Sequence, residues 1–378
     1  MRRLFPKFAF ALALPALGAS AQVTLAPLTS FSPNNDGWLA PGEGGYSFLG
    51  TANNERGIAY GNGHLYLVSR NGGNFIRILD PNSGADLGSL NTTGISGGTF
   101  AVNTIGVGSD GVIYVNNLTT QASTTPFKVY SWMNEGSVPV VAYNGAPLAG
   151  ARVGDSLAII GSGASTRLAV GFGSTPSVAG NNGYAIIDPT AGTSSQVSFT
   201  GTPPNAGDFR LGITFTDSSH VLGTQGSSLY RYTSFAGTSG TLIGSPAIPD
   251  PAGATADRLL SYTVLGGKPL LAVQSIGDSH VSLYNVTDPA NPLYLASGNN
   301  TSGTLTANGN GTGELAWGAT TVNGDGSVSE ILYAMSSNQG IQAFIVTVPE
   351  PCAFPLAILS LAAFALHRKL RLAPVARS

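Results

Sequence analysis

Six short stretches of this 378-residue chain set charged or amide side chains at the head of an apolar run. They are Glu55-Arg56, Asn103, Asp155, Asp208 with Arg210, Asp257-Arg258 and Glu314. Acids and arginines so placed admit two chemistries. They bind a ligand if they converge in a concave site, or they pair with one another and hold neighbouring units together; both readings stand on the sequence. A second candidate is Ser32-Pro33-Asn34-Asn35-Asp36-Gly37. With Gly37 at the sixth position of a calcium loop the twelfth is Glu43, so Asn34, Asp36 and Glu43 make a partial oxygen-donor set for Ca2+. Asn323-Gly324-Asp325-Gly326 has Leu332 at that closing position and reads as a hairpin turn.

Other tempting groups fail on context. His64, His220 and His280 share no spacing and read as surface or packing residues. Gly161-Ser162-Gly163-Ala164-Ser165 has no helix after it, as a nucleophile elbow requires. Gly106-Val107-Gly108 and Gly171-Phe172-Gly173 lack a βαβ setting and a P-loop lysine, which removes nucleotide binding. Asp80-Pro81, Asp188-Pro189 and Asp288-Pro289 are turn chemistry: Pro sets φ and Asp caps. Aromatics suited to sugar stacking are few, namely Trp38, Tyr46, Trp132 and Trp317, and Trp317 reads as core. No catalytic residue emerges.

The elements that must position these groups are strands. Residues 22–348 show short runs of Val, Ile, Leu, Tyr and Phe, broken every 8 to 12 residues by Gly, Asn, Asp, Ser and Pro. Four such runs recur about every 50 residues, the first set being 57–60, 64–68, 74–79 and 86–90. Later sets begin near Thr104, Leu157, Leu211, Leu259 and Leu315. Units of that length and composition predict an all-β six-bladed β-propeller, with seven blades as the main alternative and a β-helix or stacked sandwich as the runner-up. The small residues of each first strand suit a crowded axis. The sixth unit is one strand short, and Val23–Phe31 is the spare strand that would close the ring. In a closed ring the six charged stretches gather at one channel mouth.

Composition narrows the function. The whole chain carries a net charge of −2, which gives no support for nucleic-acid binding. One Cys excludes a disulfide framework or a thiolate metal cluster. Met1-Arg2-Arg3, the apolar run Phe8–Leu17 and Ala19-Ser20-Ala21 have the three parts of a secretory signal, cleaved by signal peptidase after Ala21. Residues 22–348 then hold ten basic and eighteen acidic residues.

The C-terminus is more specific. Pro349-Glu350-Pro351 is followed by the apolar run 352–366 and by His367-Arg368-Lys369-Leu370-Arg371. This order resembles the PEP-CTERM sorting signal of bacterial exosortase substrates, although the tail beyond Arg371 is longer than that pattern leads one to expect. The resemblance implies a transient membrane helix over 352–366, a sorting enzyme acting near Pro349-Glu350-Pro351, and a fold outside the cytoplasm; a plain C-terminal anchor is the alternative. Cys352 opens that helix and is not a nucleophile. The intervening domain looks like the uncharacterised surface propellers that carry this tag, which supply no catalytic residues. The expected function is non-catalytic binding or scaffolding of extracellular polysaccharide or protein. The alternative is a cation-dependent hydrolase or lyase similar to propeller lactonases, with Glu55, Asn103, Asp155 and Asp257 as the metal set.

Overall fold

The computed structural model describes residues 22–173, 182–200, 204–205, 207–224, 230–248 and 257–350. The signal-like segment 1–21, Pro351 and the apolar run 352–366 lie outside the described residues. Everything described is strand, turn or loop, apart from two single-turn 3-10 helices.

Two short strands, β1 (Thr24–Pro27) and β2 (Trp38–Leu39), precede the repeats. The first meander is β3 (Glu55–Gly61), β4 (His64–Ser69), β5 (Phe75–Leu79) and β6 (Asp86–Ser89). The second is β7 (Phe100–Val107), β8 (Ile113–Leu118), β9 (Phe127–Trp132) and β10 (Val140–Gly145). Then come β11 (Ala158–Ile160), β12 (Arg167–Gly171), β13 (Tyr184–Asp188) and β14 (Thr193–Phe199). They are followed by β15 (Gly212–Asp217), β16 (His220–Thr224), β17 (Arg231–Ala236) and β18 (Ser239–Gly244). The last full meander is β19 (Asp257–Leu265), β20 (Lys268–Ser275), β21 (Val281–Asn285) and β22 (Leu293–Gly298). Three strands end the described chain: β23 (Gly313–Val322), β24 (Val328–Ser336) and β25 (Gly340–Val348).

The arrangement is all-β and propeller-like. Three of the meanders are separate four-stranded sheets. β23, β24 and β25 form a sheet completed by β1, with β2 also on β25. The register runs antiparallel from Thr24 opposite Thr347 to Pro27 opposite Phe344. The first strands neighbour one another in a circuit, β3 to β7, β11, β15, β19 and β23, with β23 against β3 again. Small residues let them approach: a Cβ on Gly57 would lie 2.9 Å from the Thr104 Cα, and one on Gly212 would strike the Arg258 carbonyl. Core side chains fill the spaces between adjacent sheets, as where Val23 and Phe344 meet Leu270 and Leu283.

Two features depart from the sequence reading. Asp257, Arg258, Glu55, Arg56, Asn103 and Glu314 lie inside their strands rather than ahead of them. The outer strands β14 and β18 pair in parallel at Ser198–Ser239 and Phe199–Gly240, joining two meanders into one eight-stranded sheet. The physical reason is a glycine. A Cβ on Gly240 would sit 2.8 Å from the Phe199 ring, so only glycine allows that approach.

The Asp-Pro turns behave as expected. Asp80 accepts the N–H of Asn82 (3.0 Å) and Ser83 (2.8 Å), and Asp188 those of Thr190 (3.0 Å) and Ala191 (2.9 Å). Asp288 accepts the N–H of Ala290 at 3.0 Å.

Between the last two sheets, Glu330 on β24 is buried and accepts a 3.2 Å hydrogen bond from Thr263 Oγ1 of β19. Burial pushes its carboxyl from 4.5 up to about 7, against the pull of Thr263. The folded chain therefore holds this proton when the unfolded chain has lost it, and stability falls as pH rises from about 4.5 to 7. Glu330→Gln should remove that fall, on the order of 3 kcal/mol, in urea denaturation measured across the interval. An unchanged slope would reject the assignment.

Candidate functional site

The site forms where the first strands begin. Asp155, in the loop ahead of β11, is 2 % exposed and bridges two arginines. Arg152 donates to it from Nε and Nη2, both at 2.6 Å, and Arg210 donates from Nε at 2.9 Å. Burial alone would raise the Asp155 carboxyl, but Arg152 and Arg210 outweigh it and hold it below the ordinary carboxylate range. Arg56 of β3 lies close enough to feel the charges of Asp155, Arg152 and Arg210. Burial lowers its guanidinium pKa, and that of Arg258, which also feels Arg210.

Arg56 also belongs to a seam between β3 and the last sheet. Its Nη1 donates to Thr312 Oγ1 at 2.7 Å, and the Thr312 and Ser337 hydroxyls are 3.0 Å apart. Ser337 Oγ donates to the Glu55 carbonyl at 2.5 Å. Arg70, just beyond β4, lies 3.4 Å over the Phe100 ring, with Arg56 5.6 Å from the same ring. Burial pulls Arg70 down to about 10, helped by the neighbouring Arg56 charge. Glu55 turns Oε1 to the Gly50 N–H at 2.8 Å; burial raises its carboxyl despite the nearby arginines.

Below the mouth a cavity of about 510 Å³ runs along the axis, walled by all six first strands. Its deep residues, such as Ile58, Ile105 and Leu260, are buried, while Tyr60, Tyr262 and Trp317 at the far end are half-buried, so it opens away from the arginines. Glu314 lines its upper end. Burial pushes that carboxyl well above its ordinary value, although the N–H groups of Ile58 and Ile105 pull it down.

The ring expected from the sequence is therefore assembled only in part. Arg56, Asp155, Arg210 and Arg258 gather, with Glu55 beside Arg56. Asn103 is fully buried, its amide donating to the Gly154 carbonyl at 2.6 Å. Asp208 turns outward to Arg231 at 2.6 Å instead of joining the mouth. Asp257 is buried at the head of β19, and Glu314 sits deeper, on the channel axis. Of the two sequence readings, pairing is seen where Asp155 links Arg152 to Arg210 of the next meander, and Arg56 and Arg258 stand beside that bridge. Two members, Arg70 and Arg152, are absent from the sequence reading. Arg152 was visible as a cation three residues before Asp155; Arg70 carried no local signal.

The candidate metal ligands serve the fold instead. Among the described residues no three His, Cys, Asp or Glu side chains are grouped to hold a metal ion. In the loop at 32–43, Asp36 accepts from Ser32 Oγ and the Trp38 N–H, both at 2.9 Å. Glu43 accepts the N–H of Asn34 (3.0 Å) and Ala40 (2.8 Å). These carboxylates fold their own loop. The histidines have partners within the fold: His64 meets Glu135 of the next meander at 2.6 Å, His220 meets Asp217 at 2.8 Å and His280 meets Ser282 at 2.9 Å. Trp38 and Trp132 donate Nε1–H to the carbonyls of Gln339 (2.7 Å) and Asn91 (2.8 Å), and Tyr46 stacks on Phe48. They are structural. Trp317 is half-buried against the core and lines the channel.

A domain of unknown function (DUF4623) matches residues 46–208. No curated protein matches the chain. Among solved structures it is similar to the major allergen Mala s 1 of Malassezia sympodialis, at 12 % identity and a TM-score of 0.49 over 77 % of this chain and 92 % of that one. It is similar to an arginine-to-alanine triple mutant of AofleA from Arthrobotrys oligospora, at 11 % and 0.49 over 81 % and 86 %. The WD40 repeats of RRP9 give 9 % and 0.47 over 87 % and 98 %. At these identities and scores the likenesses carry nothing about ligand or activity, and the fold rests on its strand pairing.

Removing the Asp155 charge tests the bridge. Asp155→Asn leaves Arg152 and Arg210 facing each other without a counter-charge, and loss of one partner of a buried pair is costly. Both arginine side chains stay 24 % exposed, so the expected loss is toward the lower end, about 3 kcal/mol in urea unfolding. The wild-type contribution is complete above the ordinary carboxylate pKa and drains away as pH falls below about 4. An Asn variant as stable as wild type at pH 7 would refute the bridge.

Proposed function

We propose that this protein is an exported, non-catalytic binding module: a six-bladed propeller, shut by β1, that holds extracellular polysaccharide or protein at its channel mouth. The circuit of first strands and the β1–β25 register support the blade count and the closure. The observation that carries the binding reading is convergence. Buried or half-buried polar side chains from the ends of β3, β4, β11, β15 and β19 meet at one place on the axis, as polar groups do in ligand sites.

Export and anchoring rest on the two ends of the sequence, 1–21 and 349–378. The strand directions fit that reading. β25 runs from Gly340, beside the mouth at Ser336, to Val348, opposite Val328 at the far end. β1 begins next to it at Thr24. A chain held at its C-terminus on a membrane or matrix therefore presents the arginine mouth outward.

Two measurements test this. On a glycan array, with and without Ca2+, the full chain should bind a subset of polysaccharides without turning them over; saturable lactone or ester hydrolysis would replace binding by catalysis. Glu350→Ala should abolish surface display while leaving the fold intact. Unchanged display would reduce the tail to a simple anchor.

A further inference from the structure

We infer that the mouth is an oxyanion site: Arg56 and Arg258, flanking the Arg152–Asp155–Arg210 bridge, take the carboxylate or sulfate of an acidic sugar. This rests on the binding reading above and names its ligand chemistry.

The first ground is the local imbalance of charge. Five guanidinium groups, Arg56, Arg70, Arg152, Arg210 and Arg258, stand at the mouth against the carboxylates of Glu55, Asp155 and Asp257. That is half of the ten basic residues in an acidic 22–348 segment. The acids of the turns at the far ends of the first strands, among them Asp110, Asp217 and Asp325, lie on the opposite face. Asp208, paired with Arg231, and Asp278 also lie toward the mouth, so the excess of cation is confined to the axis.

The second ground is unmet hydrogen bonding. Arg56 is 4 % exposed, yet its Nε has no partner among the described residues, and neither have the Nε atoms of Arg70 and Arg258. Burying a guanidinium costs several kcal/mol unless a counter-charge answers it. Asp155 is already shared by two other arginines, and Glu55, though its charge is felt by Arg56, gives Oε1 to a backbone N–H and leaves its buried Oε2 without a partner among the described residues. The Nε atoms themselves are sealed from solvent, so an oxyanion at the rim answers these charges through the outer nitrogens of the forks, with charge-assisted bonds roughly twice as strong as neutral ones. Phe100 under Arg70 and Thr312 on Arg56 hold these two forks before a ligand arrives, which lowers the ordering cost of binding.

The test uses the full chain purified in detergent, with sodium sulfate, oligogalacturonate and neutral malto-oligosaccharides as probes in calorimetric titrations. Oligogalacturonate should bind, weaken with added salt, and lose about tenfold or more in affinity in Arg258→Gln, the loss expected for one charge-assisted bond. Arg258→Lys should lose less. Arg258 is half-buried, so its variants serve where Arg56→Gln fails to fold. Sulfate binding without oligogalacturonate binding would uphold the oxyanion site and remove the polysaccharide reading. Neutral oligomers binding as tightly as acidic ones, with Arg258→Gln unaffected, would overturn the oxyanion assignment and leave the binding module standing. No binding by any probe would overturn both.

Discussion

A ring of sheets holds only if its last sheet is bonded to its first. Here the joint is made twice, at different radii. Outside, β1 lies in register along β25 from Thr24–Thr347 to Pro27–Phe344, turning what would be an open edge into an internal strand. Inside, Arg56, Thr312, Ser337 and the Glu55 carbonyl form a chain of hydrogen bonds from β3 to the last sheet. Between the two, Asn338 donates to Asn53 at 3.0 Å and Trp38 to the Gln339 carbonyl. The geometry of the mouth depends on this joint, because Arg56 stands at the mouth and is also part of the inner seam. A chain opened at β1 would lose the geometry of the site before it lost its sheets.

The same seam explains why an acidic molecule carries an excess of cation on its axis. First strands converge at the axis, and convergence at their beginnings leaves room only for small residues such as Gly57 and Gly212. Bulk at that level must come from long side chains reaching in from strand ends and loops. Arginine meets that need with an aliphatic stem that packs and a head that bonds several acceptors. Arg258 shows it, lying across Gly311, where a Cβ would collide with it. The acids go to turns, where short carboxylates cap backbone N–H groups, as Asp80, Asp217 and Asp325 do.

What could be read from the sequence was what local chemistry fixes. The four-strand period, the Asp-Pro turns and the spare strand after Val23 each depend on a few adjacent residues and appear in the structure, although that strand covers only Thr24–Pro27 of the expected Val23–Phe31 before the chain turns. The site was legible only in part, because its members meet through side-chain reach across loops. Asp208 and Asp155 look equivalent in sequence, each ahead of a first strand. Yet Arg231 draws the first outward, while Arg152 and Arg210 fix the second at the mouth. Arg70 sits at the end of a second strand, where nothing in the residues around it marks a place at the mouth. The β14–β18 pairing was hidden for a like reason, since it turns on the fit of Phe199 to Gly240 across forty residues of chain.

Glu314 marks where the site stops. It sits on the axis one step below the arginines, between the mouth and the wide cavity, with Leu211, Leu259 and Ile213 around it. Inner strand edges leave backbone N–H groups unpaired toward the channel, and its carboxyl takes those of Ile58 and Ile105, linking three sheets at their narrowest point. Its Oε2 has no partner among the described residues and packs on Gly57. Burial favours the neutral acid there, and the axis below the mouth offers an anion no counter-charge among the described residues. An anionic group that enters between Arg56 and Arg258 therefore gains its bonds at the rim and nothing by going deeper. The wide cavity behind is open from the other face, on the same axis as the mouth.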